Sequence, residues 1–191
     1  MHRHLILLAL AAACGGLSCS KANAGKLPDP PGYTLQGTGD IHDFDFFVGK
    51  WHSTQRRLKV RAVGGHDWDE FPGDLVNNKL IGGVANVEEC VFPTKGWSGV
   101  ALRTFDVAKR QWSIYWVSSR RGVLDLPPVV GGFVGDRGEF YGEDTDEGRP
   151  IKVRYLWTRL GPDKAHWEQA FSYDGASWET NWTIDWDRVH R

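Results

Sequence analysis

The second half of the chain alternates. In "WSIYW", Trp112, Ile114 and Trp116 share one side. In "IKVRYLW", Ile151, Val153, Tyr155 and Trp157 oppose Lys152 and Arg154. In "HWEQAFSY", Trp167, Gln169, Phe171 and Tyr173 oppose His166 and Glu168. In "WETNWTIDWD", Trp178, Thr180, Trp182, Ile184 and Trp186 fall on one face and Glu179, Asn181, Thr183 and Asp185 on the other. A period of two with one apolar face belongs to strands whose inner side is shielded from water. The pattern predicts strands near 51–61, 71–79, 80–92, 97–106, 110–119, 128–134, 138–144, 150–160, 164–173 and 178–188. Between them lie "DVAKR", "GDRG", "DEGRP", "GPDK" and "DGAS", all with turn-forming residues. Short links between consecutive strands predict an all-β fold, an antiparallel up-and-down β-barrel of about ten strands.

One stretch breaks the pattern. "DFDFFVGKWH", residues 43–52, crowds Phe44, Phe46, Phe47, Val48 and Trp51 around Gly49. Phe44, Phe47 and Val48 stand at i, i+3 and i+4, which predicts a short helix over 41–48 with one apolar face. Asp40 would cap it and Gly49 would end it in the left-handed conformation. A barrel has open ends, and a short apolar helix laid across one of them would plug it.

The first 24 residues stand apart. A basic start, the apolar run "LILLALAAA" and small residues at Ala22 and Ala24 have the layout of a secretory signal peptide cleaved after Ala24. That run is too short to span a bilayer as a helix. Cys14 and Cys19 follow small residues but lack a Leu three positions earlier, so a lipid anchor is the lesser alternative. Residues 25–40 are rich in Pro and Gly and read as an extended segment; 41–191 form the barrel domain. The expected location is periplasmic or extracellular. Cys90 is then the one Cys left in the mature chain, so packing rather than a disulfide must hold the domain together.

Charge narrows the partners. Lys and Arg number 23 and Asp and Glu 24, with no basic cluster suited to nucleic acid or to an anionic membrane surface. All ten Trp lie beyond residue 50, which fits an aromatic core or the walls of a ligand cavity.

"GKW" before the first strand resembles the G-x-W opening of the calycin superfamily, which includes lipocalins and nitrobindin-like barrels. The wider series "DFDFFVGKW", "RTFD…QWSIYWVS", "FYGEDTDEGRPIKVRYLW" and "WEQAFSYDGASWETNW" is similar to uncharacterised bacterial proteins regarded as lipocalin-like barrels. The resemblance spans roughly 43–188 and implies a β-barrel without naming a ligand.

Small barrels are either filled by their own side chains or keep room for one small ligand. The binding reading makes Trp51, Trp116, Tyr155, Trp157 and Trp182 the walls. Arg57, Arg103 and Gln169, on inward parity, would orient a polar group, an acidic one included, of a small hydrophobic or amphipathic molecule. A buried guanidinium needs either an acidic neighbour, with Glu88 or Glu89 as candidates, or an anionic ligand group. Two alternatives stay open: a cyclase or isomerase on the same cavity with Glu168 or Glu89 as base, and a filled barrel acting as an interaction module. No hydrolase or metalloprotease motif is present. "HDWDE" at 66–70 divides its ligands between two faces, and "EDTDEG" at 143–148 lacks the spacing of a calcium loop. Nitrobindin-like barrels hold haem through a His, but His42, His52, His66, His166 and His190 stand in no matching context, so neither haem nor another cofactor is expected.

Overall fold

The structure is a computed structural model and describes residues 39–190. The expected leader and most of the extended segment lie outside these residues. Ten antiparallel strands form one closed barrel. They are β1 (Gly49–Leu58), β2 (Trp68–Leu80), β3 (Ala85–Phe92), β4 (Trp97–Asp106) and β5 (Gln111–Ser118). Then follow β6 (Val129–Val134), β7 (Arg137–Asp146), β8 (Arg149–Gly161), β9 (Lys164–Ser172) and β10 (Glu179–Arg188). Every strand pairs with its sequence neighbour, and β10 returns to pair with β1, Trp182 opposite Arg57 and Trp186 opposite Ser53. Closure removes both edges, and with them the backbone groups an edge would leave open to another chain.

The alternation read from the sequence is what the barrel buries. On β4, Trp97, Gly99, Ala101, Arg103 and Phe105 are all buried and their neighbours are half-exposed. Trp112, Ile151, Val153, Trp157, Trp167, Trp182, Ile184 and Trp186 join one core cluster.

Three expectations are corrected. The stretch 41–48 is not an α-helix; it is a turn followed by three residues of 3-10 helix, Asp45–Phe47. Asp40 serves the turn, its carboxylate accepting the His42 N–H at 3.0 Å. Gly49 is already the first residue of β1, with a φ of 122° that is outside the helical left-handed region, and the residue after the 3-10 turn is the extended Val48. Eight residues are too few to pay the cost of helix nucleation when tertiary contacts hold them in another form. The second correction is the β2–β3 hairpin, which turns at Ile81–Gly83 rather than at 79/80. The third is Trp178. A register shift between Thr180 and Trp182 reverses the parity of the strand's start. Trp178 therefore packs outside, against Tyr141 and beneath Arg154, whose guanidinium carbon is 4.6 Å from its ring centroid.

The aromatic knot does lie in the core at one barrel end. Phe47 is fully buried, with ring centroids 5.2 Å from Trp51, 5.0 Å from Trp157 and 4.9 Å from Trp186. Phe44 meets Trp112, Phe133 and Trp157 edge-on. Hydrogen bonds fasten its backbone to the wall. Trp112 Nε1 donates to Asp40 O at 2.9 Å, Trp51 Nε1 to Phe47 O at 2.9 Å, Arg159 to Asp43 O at 2.7 Å and Arg188 to Val48 O at 2.8 Å.

Candidate functional site

The opposite end of the barrel is open. The β5–β6 pairing covers only Trp112–Ile114 against Val129–Gly131, and nearer the mouth β5 is met by the connection that follows it, the Asp125 N–H donating to Trp116 O at 2.8 Å. A cavity of about 330 Å³ lies there. Trp97, Trp116, Tyr155, Phe171 and Trp182 line it. Arg57, Arg61, Arg120 and Arg121 face it together with Asp125, Asp144 and Asp146. A smaller chamber of about 70 Å³ lies deeper, among Glu88, Cys90, Arg103, Trp157, Trp167 and Trp186. The two share Ile114, Trp116, Tyr155, Gln169 and Trp182.

Glycine makes one of these walls. A Cβ on Gly99 would lie 2.2 Å from the Trp116 ring, so the indole can rest on β4 only because position 99 has no side chain. Trp182 is held by its Nε1–H, which donates to Gln55 Oε1 at 2.8 Å. Gln55 Nε2 donates in turn to Ser53 Oγ at 2.8 Å. Gln169 Nε2 donates to Asn181 Oδ1 at 2.8 Å.

The arginines differ in what neutralises them. Arg61 forms a two-pronged bond with Asp146, whose carboxylate also accepts the Tyr173 hydroxyl at 2.8 Å. Arg121 bonds Asp125. Arg57 is half-buried and lies over Trp182, 4.8 Å from the ring centroid, with no carboxylate in ion-pair distance among the described residues. Burial, and then repulsion from Arg61 and Arg120, push its pKa down. Arg120 lies 5.1 Å over Trp97. Across the mouth, burial raises the Asp125 pKa against the pull of Arg121, and Asp144 raises it further. Tyr155 is shifted upward too, first by burial and then by Asp125 and Asp144.

Of the residues singled out from sequence, Arg57, Trp116, Tyr155, Gln169 and Trp182 line the outer cavity, and Arg103 and Trp157 the inner chamber. Trp51 lines neither; at the start of β1 it packs on Phe47 beneath Arg188. Arg103 is not a free cation. It bonds Glu88, donates to Asn86 Oδ1 at 3.0 Å and stacks on Phe44, Phe47 and Trp157. Glu88 also accepts from Cys90 Sγ at 2.8 Å, and burial is the first cause that raises the Cys90 thiol pKa. The two suggested bases face outward: Glu89 is exposed, and Glu168 pairs with His166 on the outer surface. Strand parity alone puts them there, since Glu88 and Trp167 point in.

Sequence reading missed Trp97, Arg61, Arg120, Arg121 and Asp125. Trp97 shares parity with Arg103 and was there to be found. The others sit in the connections 59–67 and 119–128, where no period says which way a side chain points. Among the described residues, no group of three or more His, Cys, Asp or Glu is placed to hold a metal ion. No helix among them is long and apolar enough to cross a membrane.

No family model matches the chain, and no curated protein does. Among solved structures, a protein of unknown function from the DUF3598 family of Nostoc punctiforme is similar, at 10% identity and a TM-score of 0.45. The match covers 83% of this chain and 53% of that one, so the chain spans about half that protein's length.

Proposed function

We propose that this chain is a calycin-like binding barrel, exported by its leader, that holds one small, partly apolar molecule with its acidic group at Arg57. Arg57 carries this reading: it is a partly buried guanidinium on an aromatic face, lining a cavity and without a carboxylate in ion-pair distance among the described residues. A desolvated cation is costly until an anion meets it, and a guanidinium meets a planar carboxylate through two hydrogen bonds. The cavity volume falls at the low end of the ~300–1,000 Å³ usual for small-molecule sites, and its aromatic walls suit an apolar body. The same open volume argues against the filled-barrel alternative. An enzymatic reading loses support once Glu89 and Glu168 point away.

The test is calorimetry with dodecanoic acid and its methyl ester. Arg57→Met keeps much of the apolar stem and removes the charge. It is expected to weaken the acid about ten- to a hundredfold, the worth of a charged hydrogen bond to a desolvated partner, and to leave the ester nearly unchanged. Equal losses would reduce Arg57 to a packing role and sink the proposal.

A further inference from the structure

The closed half of the barrel contains donors without acceptors. Trp157 Nε1–H, Trp186 Nε1–H and Arg103 Nε–H are buried and have no hydrogen-bond partner among the described residues. All three side chains line the inner chamber. Trp157 is 2% exposed, Trp186 3% and Arg103 2%. The two indoles stack at 4.8 Å and 11°, one plate bordering the space. An indole N–H and a guanidinium N–H can only donate. Buried polar groups in native proteins almost always find a partner, and a group that has none calls for an explanation. Three lone donors around one chamber call for an acceptor inside it.

We infer that the inner chamber is a subsite for a neutral hydrogen-bond acceptor, a carbonyl oxygen or its equivalent, at the far end of the ligand whose acid sits at Arg57. This rests on the binding reading above. The acceptor is neutral because the chamber's charges already cancel: Arg103 is bonded to Glu88. A second carboxylate there would be stripped of water beside Glu88 with no cation left for it. We place one ligand across both, since the two spaces adjoin at Trp116, Tyr155 and Trp182. The span follows from the strand. Arg57 pairs with Trp182, and Trp186 is four residues further along β10. At roughly 3.3 Å per residue this separates acid from acceptor by ~13 Å.

The experiment compares two probes on the intact protein by calorimetry: dodecanoic acid, and its analogue with a ketone one carbon from the far end. The ketone acid is expected to bind about tenfold tighter, because it satisfies donors the alkyl chain leaves bare. Trp157→Phe keeps a ring and removes one donor. It should erase most of that preference, read as the ratio of the two acids' affinities within the one variant. Should Trp157→Phe fail to fold, the wild-type comparison decides alone. Equal affinity of wild type for both acids, with binding still dependent on Arg57, would overturn this inference and leave the binding reading in place. No binding of either acid would overturn both. A ketone preference that survives in both Trp157→Phe and Trp186→Phe would also overturn it.

Discussion

Arg103 shows what alternation along a strand can and cannot reveal. Its inward parity with Phe105 was legible, and so was its need for an acidic partner. Which of two adjacent carboxylates supplies it follows from β3 itself, where Glu88 is buried and Glu89 is not. Alternation does not say whether such a pair still has charge to offer a ligand. Here it has none, since Arg103 is bonded to Glu88 and Asn86 and covered by three aromatic rings. Removing one partner leaves the other charged and stranded. Arg103→Leu is expected to cost about 3–5 kcal/mol, measured by denaturant unfolding. Adding Glu88→Leu should recover most of the loss, because the apolar pair strands no charge. A double variant no better than the single would mean that the pair acts through more than its charges.

At the scale of elements, the ten strands were legible from a period of two and the turn residues between them, most clearly in β5 and β8 to β10, where the inner face is largely apolar. The bulge in β10 was not: one extra residue at Asn181 turns Trp178 outward, and no residue type announces the shift. The plug was legible as an apolar stretch but not as a 3-10 turn. Its contacts set its shape, since Trp51, Trp112, Arg159 and Arg188 all donate to backbone carbonyls between Asp40 and Val48. Phe47 has no exposed surface and four aromatic neighbours, Phe46, Trp51, Trp157 and Trp186. Phe47→Ala is expected to cost about 3–5 kcal/mol of unfolding free energy, as for a buried aromatic. A change under about 0.5 kcal/mol, the size of a surface substitution, would show that the knot is peripheral.

At the scale of the whole molecule, the two barrel ends are built differently, and the mouth has its own fastening. Arg61, from the connection between β1 and β2, crosses to Asp146 at the end of β7. Tyr173, just past β9, donates to the same carboxylate at 2.8 Å, and the Ala62 N–H is held by Glu179 at the start of β10 at 2.9 Å. The two Asp146 bonds therefore tie together elements that are not neighbours in the sheet. The Arg61 bond is the first cause that holds the Asp146 carboxyl below the usual carboxylate range, with burial opposing it and Tyr173 assisting. A carboxyl depressed by folding stabilises the fold above its unfolded pKa, and that stability is lost as pH falls through the folded pKa. Wild type should therefore exceed Asp146→Asn by about 1.5–3 kcal/mol at neutral pH, the worth of a charge-assisted hydrogen bond. The gap should hold above the usual carboxylate range and close as the pH falls below it and the carboxylate becomes an uncharged acid. Thermal unfolding of both proteins, followed by Trp emission across that range, checks it. The range from about pH 7 to about pH 9 serves as the control, because Asp146 stays ionised and the Tyr173 hydroxyl stays protonated there, so the gap should not change. A gap that persists undiminished however far the pH falls below the usual carboxylate range would mean that the clasp is held by shape and neutral hydrogen bonds rather than by the Arg61–Asp146 charge pair.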